Sequence, residues 1–341
     1  MRTPYKFIAY QLKMNFVLMK MKRLFAMFAL VAGFTSAIAQ PVPGDDENIP
    51  FLMTFGKDSE TEWGDDNFVQ IIFFSIPADC STPIYIRVFD PDCGGNNDEL
   101  RGDWNTKTRF SVYGGKESCS NKDAQKSNIK GKYKSGTMLA TKTFGVDPKF
   151  DGNWYTFGPF NPSEGEDLPE FGGRTFKLVI EGLNGDDGNM YRLFLSRKKD
   201  DNIKVDGAFA YYFKYKFRLY DVGTEISHIY PYIDDKTISL KQSNFDWDKD
   251  GMLRIISVAK NGEMMKVSDN NEWVTSTHKV ADEEKNTSWD IQMIKYKNKP
   301  LKNNNVVIFL ENQYGELMPF YSVPIGGIPK YKYSIGVKPK K

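Results

Sequence analysis

The stretch AFAYYFKYKFRLY, residues 208–220, alternates along most of its length. Tyr211, Phe213, Tyr215, Phe217 and Leu219 fall on one side of an extended chain, and Tyr212, Lys214, Lys216 and Arg218 on the other. A period of two is the mark of a β-strand with one buried face, and it predicts that the cationic side meets water. The same period recurs from residue 50 onward, in FVQIIFFSI (68–76), PIYIRVF (83–89), TRFSVYG (108–114), TMLATKTFG (137–145), NWYTFGPF (153–160), RTFKLVIEGL (174–183) and NMYRLFLS (189–196). Turns rich in Gly and Asp separate these runs, as in a sandwich or jelly roll. A second series starts near Ile226 and ends with MPFYSVPI, with KNGE and QYGE supplying hairpin turns. Its short strands fit an immunoglobulin-like sandwich. Aromatic residues make up 14% of the 341-residue chain, and such side chains suit a pleated surface. The expected fold class is all-β: two tandem β-sandwich domains, jelly-roll-like over 41–222 and immunoglobulin-like over 226–329, after a signal peptide. One polar stretch, ESCSNKDAQKSNIKGKYKSG (117–136), reads as an exposed loop, and no helix is expected beyond the N-terminus.

At that N-terminus Lys20, Lys22 and Arg23 precede an apolar run from Leu24 to Phe34, followed by Ala37 and Ala39 at an A-x-A site. This pattern describes a secretory signal peptide within 1–39, cleaved after Ala39. The run is short for a membrane-spanning helix, and no second hydrophobic span follows. The expectation is export to the periplasm, the cell surface or the medium, with no transmembrane span in the mature chain. Net charge is +2 with the two signs interspersed, which argues against a nucleic-acid binder. Lysines gather only in the tail, 330–341, at Lys330, Lys332, Lys338, Lys340 and Lys341.

Three acidic stretches raise the question of metal. In VFDPDCGGNNDE (88–99), Asp90, Asp92, Asp98 and Glu99 follow a strand, with glycines that let the backbone curl and asparagines that add oxygens. Calcium asks for six to eight oxygens of these kinds, and crowded carboxylates repel one another without a cation. A solvated turn explains the same letters by backbone preference. In FDWDKDG (245–251), Asp246, Asp248 and Asp250 match the first half of a D-x-D-x-D-G loop, but position twelve is Ser257 in place of the bidentate Glu. NGDDGN (184–189) is more simply a tight turn. Calcium is thus the one cofactor the sequence suggests.

Catalytic signatures are missing. The two histidines, His228 and His278, sit in strand-like runs without H-E-x-x-H or G-x-S-x-G surroundings. A glycosidase-like carboxylate pair needs only two acids, so acids alone do not argue for one. The reading is a non-catalytic binding or structural protein of the bacterial envelope or surface, with a protein partner. A carbohydrate-binding module or adhesin is the alternative, because Trp104 and Trp247 flank the two acidic loops and Trp154, Trp273 and Trp289 add further aromatic surface. A glycoside hydrolase is the third reading.

TFKLVIEGLNGDDGNMYRLFLS and IYIRVFDPDCGG resemble jelly-roll modules of exported bacterial proteins, such as pre-peptidase and proprotein-convertase P-type domains, and AIAQ is similar to signal-peptide ends of the Bacteroidetes group. The resemblance spans about half the chain, matches no named family residue by residue, and carries over no functional residue.

Three cysteines remain after the signal segment: Cys80, Cys93 and Cys119. An exported chain favours one disulfide and leaves one thiol over. Cys80 and Cys93 flank a strand whose seven residues span roughly 20 Å, beyond the ~7 Å Cα limit of a bridge. If 108–114 returns beside 83–89, Cys119 comes back towards Cys80. The expected disulfide is therefore Cys80–Cys119, with Cys93 unpaired.

Overall fold

The strands assemble into two antiparallel sheets whose facing sides share one apolar core. The computed structural model describes residues 41–220, 224–296 and 304–333. The chain divides into Met1–Ala37 and Ile38–Lys341, and the described residues all belong to the second unit. The signal segment, and Lys338, Lys340 and Lys341 of the tail, lie outside the described residues.

Among the described residues the first sheet runs, neighbour to neighbour, Trp273–Lys279, Ser239–Phe245, Asn305–Asn312, Lys214–Arg218, Phe51–Phe55, Gly188–Ser196, Ile84–Phe89 and Trp154–Phe160. The second runs Asn261–Met265, Gly251–Ile256, Asp290–Lys295, Ser227–Ile233, Phe320–Tyr321, Phe209–Tyr212, Val69–Pro77, Gly173–Asn184, Lys107–Gly114 and Thr137–Phe144. Alternation explains the core: Ile72, Phe74 and Ile76 point inward from Val69–Pro77, while Val69, Ile71 and Phe73 join an outer apolar cluster. Full burial of one such side chain contributes about 1.5–3 kcal/mol. Both sheets contain strands from either side of residue 222. Lys214 pairs with Phe309, and Tyr211 pairs with Tyr321, so the two halves meet by continuous hydrogen bonding.

The segment 208–220 does not form one strand. Phe209–Tyr212 belongs to the second sheet and Lys214–Arg218 to the first, and the chain crosses between them at Phe213. The crossing shifts the alternation by one residue. Tyr211 and Phe213 pack on the outer face of the second sheet, whereas Tyr212, Tyr215 and Phe217 enter the core. The cationic side expected in water is covered as well. Lys216 is 0% exposed and bonds to Asp65 and Asn67, with Asp66 Oδ1 at 3.2 Å. Lys214 pairs with Asp66, and Arg218 with Glu99. Burial alone would raise the Asp66 carboxyl, but Lys216 and Lys214 more than offset this and hold it below its ordinary value. The loop 58–68 thus lies over these cations as a lid of opposite charge.

The loop at 117–136 is also more built than its polarity suggests. It contains a helical turn, Lys122–Gln125, and buries Ser118, Cys119, Ala124 and Ser127. Glu166 accepts from the N–H groups of Glu117, Cys119 and Ser120, and Lys177 Nζ donates to the carbonyls of Tyr133 and Ser135 at 2.8 Å each. Charged side chains of neighbouring strands hold the loop by its backbone.

One carboxyl sits in the core itself. Glu47 is 0% exposed and accepts from Gly44 N, from Tyr212 and from Tyr215, whose rings stack 3.8 Å apart. Burial pushes its pKa from 4.5 up to about 8. A carboxyl raised in the folded state binds its proton more tightly there than in the unfolded chain, so stability falls as pH rises between those two values. Thermal melts across that range should decline for the native protein, and Glu47→Gln should flatten the decline. A second expectation concerns Lys216. Lys216→Met leaves Asp65 and Asp66 buried without their shared cation and should cost about 3–5 kcal/mol in urea unfolding.

Candidate functional site

Where the two halves join, the outer face of the second sheet carries a groove of about 690 Å3. Its floor is aromatic. Phe171 stacks on Tyr211 at 4.2 Å and 6°, and packs edge-on against Phe213; Tyr321 lies tilted beside Tyr211. Phe171 comes from a turn in the first half, Phe213 from the crossing, and Tyr232 and Tyr321 from the second half, so the groove exists only because the halves are joined. Polar groups of both signs rim it: Lys122, Gln125 and Lys126 from the helical turn, Glu170 beside Phe171, and Asp234, Asn312 and Glu316 opposite. Asp234 uses Oδ1 to cap its own turn, accepting from Thr237 N at 2.8 Å, and Asn312 Nδ2 donates to Glu316 at 2.9 Å. Polar groups make up more of the exposed lining than apolar ones do, so the groove sets hydrogen-bonding groups around an aromatic patch. Sequence reading missed the groove because its residues are scattered from 122 to 321 and meet only through the sheet order.

The opening acidic loop follows Ile84–Phe89 and lies against the segment 145–153. Asp90 is 0% exposed, and its carboxylate accepts from Asn97 Nδ2 at 2.6 Å and Gly152 N at 2.8 Å. Asp92 is 1% exposed, with Oδ2 accepting from Asp147 N at 3.1 Å. Asp98 accepts from Gly94 N and Met190 N, both at 2.6 Å. Glu99 turns away from them and engages Arg101, Arg218 and Asn305. Burial raises the carboxyls of Asp90 and Asp98 and brings Asp92 up to about 6; each is raised further by a neighbouring carboxylate. The turn at 184–189 adds Asp187, which accepts from the N–H groups of Arg101, Asn105 and Thr106.

The second acidic loop divides its acids among different partners. Asp246 accepts from Asn271 N at 2.6 Å, Asp250 lies 2.5 Å from Lys295 Nζ, and Asp248 is half-buried with a φ of 58°. A lysine ammonium therefore already faces Asp250. Among the described residues no three His, Cys, Asp or Glu side chains stand together in a metal-binding arrangement.

The tryptophans do not line the groove. Trp247 and Trp289 fill the core, Trp154 packs on Phe89 and Arg87, Trp104 is half-buried, and Trp273 covers Phe245 and Phe309. The histidines each face a carboxylate. His228 Nδ1 lies 2.8 Å from Asp290, and His278 Nδ1 lies 2.5 Å from Glu263. His278 Nε2 is also 2.9 Å from Ser276 Oγ, giving a serine–histidine–glutamate chain across the two sheets. That serine oxygen accepts from Gln242 Nε2 at 3.0 Å and Lys266 N at 3.2 Å, so no lone pair is left for attack on a substrate. The chain ties the sheets together.

The cysteines are free thiols, and the expected Cys80–Cys119 disulfide is not formed. The assumption behind it fails: Ile84–Phe89 pairs with Gly188–Ser196 and Trp154–Phe160 in the first sheet, whereas Lys107–Gly114 pairs with Gly173–Asn184 and Thr137–Phe144 in the second. Cys119 lies in the outer cluster, and Cys80 packs against the core on the other side. Burial pushes the Cys119 thiol up to about 12 and raises Cys93 also. An aromatic disulfide reagent should therefore titrate Cys80 alone in the native protein and all three thiols in denaturant. A Cys80–Cys119 peptide recovered under non-reducing conditions would contradict this arrangement.

No protein-family model matches the chain, and no curated protein matches it. Solved structures similar to it include the N-terminal CBM22-1-CBM22-2 tandem domain from Paenibacillus barcinonensis Xyn10C, at 8% identity over 81% of this chain and 99% of that one, with a TM-score of 0.19. Recombinant N-glycanase F (PNGase F) is similar at 10% identity over 80% of this chain and 95% of that one, also with a TM-score of 0.19. Likenesses of this strength decide neither the fold nor the function, and the chain is assigned to no named family.

Proposed function

We propose that the protein is an exported, non-catalytic binding protein whose ligand is a glycan held in the groove between its halves. The observation that carries this reading is the pairing of an aromatic floor with a rim of carboxylates, amides and ammonium groups. A sugar ring offers a C–H face, which packs on the face of an aromatic ring, and a hydroxyl edge, which both donates and accepts. Rim groups of both signs suit a neutral saccharide better than a polyanion, which would meet Glu170, Asp234 and Glu316. Export rests on the basic, apolar and small-residue pattern at the N-terminus. The occupied lone pairs of Ser276 support a non-catalytic role.

A protein partner is the second reading. Among the described residues Thr137–Phe144 forms one edge of the second sheet with a single neighbouring strand, and most of its side chains are exposed. Edges of this kind accept an added strand.

A glycan array followed by calorimetry tests the first reading. Tyr232→Ala should weaken the best ligand by about tenfold, the scale of one lost aromatic contact of ~1.4 kcal/mol, while leaving the melting temperature nearly unchanged. Binding that is indifferent to this change and to Glu316→Gln would move the site out of the groove. Turnover of the bound glycan that disappears in Glu170→Gln or Glu316→Gln would make the protein a hydrolase.

A further inference from the structure

The acidic loop after Ile84–Phe89 contains two buried oxygens that its own hydrogen bonding leaves over. Asp92 Oδ1 has no donor, and neither has the amide oxygen of Asn189, a residue that is 0% exposed. These atoms come from different parts of the fold, the loop after Ile84–Phe89 and the strand Gly188–Ser196. Asn189 Nδ2 donates to the carbonyl of Pro91 at 3.0 Å, which sets its amide head against the backbone between the two acids. The Asp92 carboxyl in turn lies within hydrogen-bonding reach of the Asp90 carboxyl. Two acids in contact, one with a bare buried oxygen, require either a shared proton or a cation, because an unpaired buried acceptor costs about 1–3 kcal/mol, more when charged. Backbone N–H groups satisfy the other acids here, Asp98 and Asp187, so they are not free for either role. Beyond Asp92, the carboxylate of Asp151 packs on Gly95 so closely that a Cβ there would lie 2.4 Å from its Oδ1. Negative charge therefore borders the pair on that side too.

We propose that this loop binds one hard divalent cation, calcium by its ligand chemistry, through the carboxylates of Asp90 and Asp92 and the amide oxygen of Asn189. The donor set is all oxygen and mixes carboxylate with amide, which suits calcium and excludes soft metals. Backbone carbonyls and water supply the rest of the shell, as is usual for calcium. The site is independent of the groove and of the ligand proposed for it.

The test uses the full mature chain after chelator treatment. Calcium added at micromolar to millimolar levels should raise the melting temperature by mass action on the folded state, and elemental analysis after gel filtration should find one calcium per chain. Magnesium at equal concentration should do less. Asp92→Asn keeps the shape and Asn189→Leu removes the amide oxygen; each should lower calcium affinity tenfold or more, while chelator-treated Asp92→Asn melts close to the native apo protein. A melting temperature that ignores calcium would overturn the proposal. Calcium binding that survives both substitutions would place the cation elsewhere and overturn it equally.

Discussion

The ammonium of Lys216 is the point on which the join between the halves depends. It is completely buried on a strand that must pair with Phe51–Phe55 on one side and Asn305–Asn312 on the other. A charge in that position is tolerated only if oxygens surround it, and the loop over it supplies Asp65, Asp66 and Asn67. Asp65 in turn accepts from Phe55 N and Phe68 N, so the lid is stitched to the sheet that it covers. Next along the same strand Arg218 reaches Glu99, which also meets Arg101, and Arg101 lies over the ring of Trp63 at 3.0 Å. One row of cations thereby organises two loops on the outer face of the first sheet.

Much of the architecture was readable from the period-two pattern. The strands at 69–77, 84–89, 107–114, 137–144, 154–160, 173–184 and 188–196 lie where alternation puts them. What alternation cannot carry is the sheet to which a strand belongs. The segment 208–220 looks like one long strand because its polar and apolar letters keep in step, yet Phe213 is a crossing and the two pieces serve different sheets. The cysteine argument failed for a related reason, since the strands at 84–89 and 107–114 belong to different sheets and do not pair. Buried lysines mislead in another way. Lys177, Lys216 and Lys295 look like solvent-facing letters, and only the acids and carbonyls that fold over them, from distant positions, make their burial affordable.

The acidic composition also takes on a different meaning. Asp187 and Glu166 each accept from several backbone N–H groups of a loop, and Asp65 and Asp98 each tie a loop N–H to one on a strand, giving loop donors the partners that irregular backbone otherwise lacks. An abundance of Asp, Asn and Gly in the sequence therefore reports a sandwich whose long connections are held by side chains. The candidate metal residues were legible as a cluster, but not in their separate duties. Asp98 clamps, Glu99 pairs with arginines, and Asp92 leaves one buried oxygen without a donor.

The sharing of sheets between halves has a consequence for how the molecule comes into being. Lys214–Arg218 waits for Asn305–Asn312, and Phe209–Tyr212 waits for Phe320–Tyr321, the latter separated by more than a hundred residues of chain. As the polypeptide lengthens on a ribosome, neither sheet closes until nearly the last strand has arrived. Until then strand edges stand open in the middle of the eventual sandwich, where they invite pairing with other chains. Contacts of such long range form slowly. A protein built this way spends an extended period as a partner-seeking intermediate, and its safe arrival depends on whatever shields those edges in the interval.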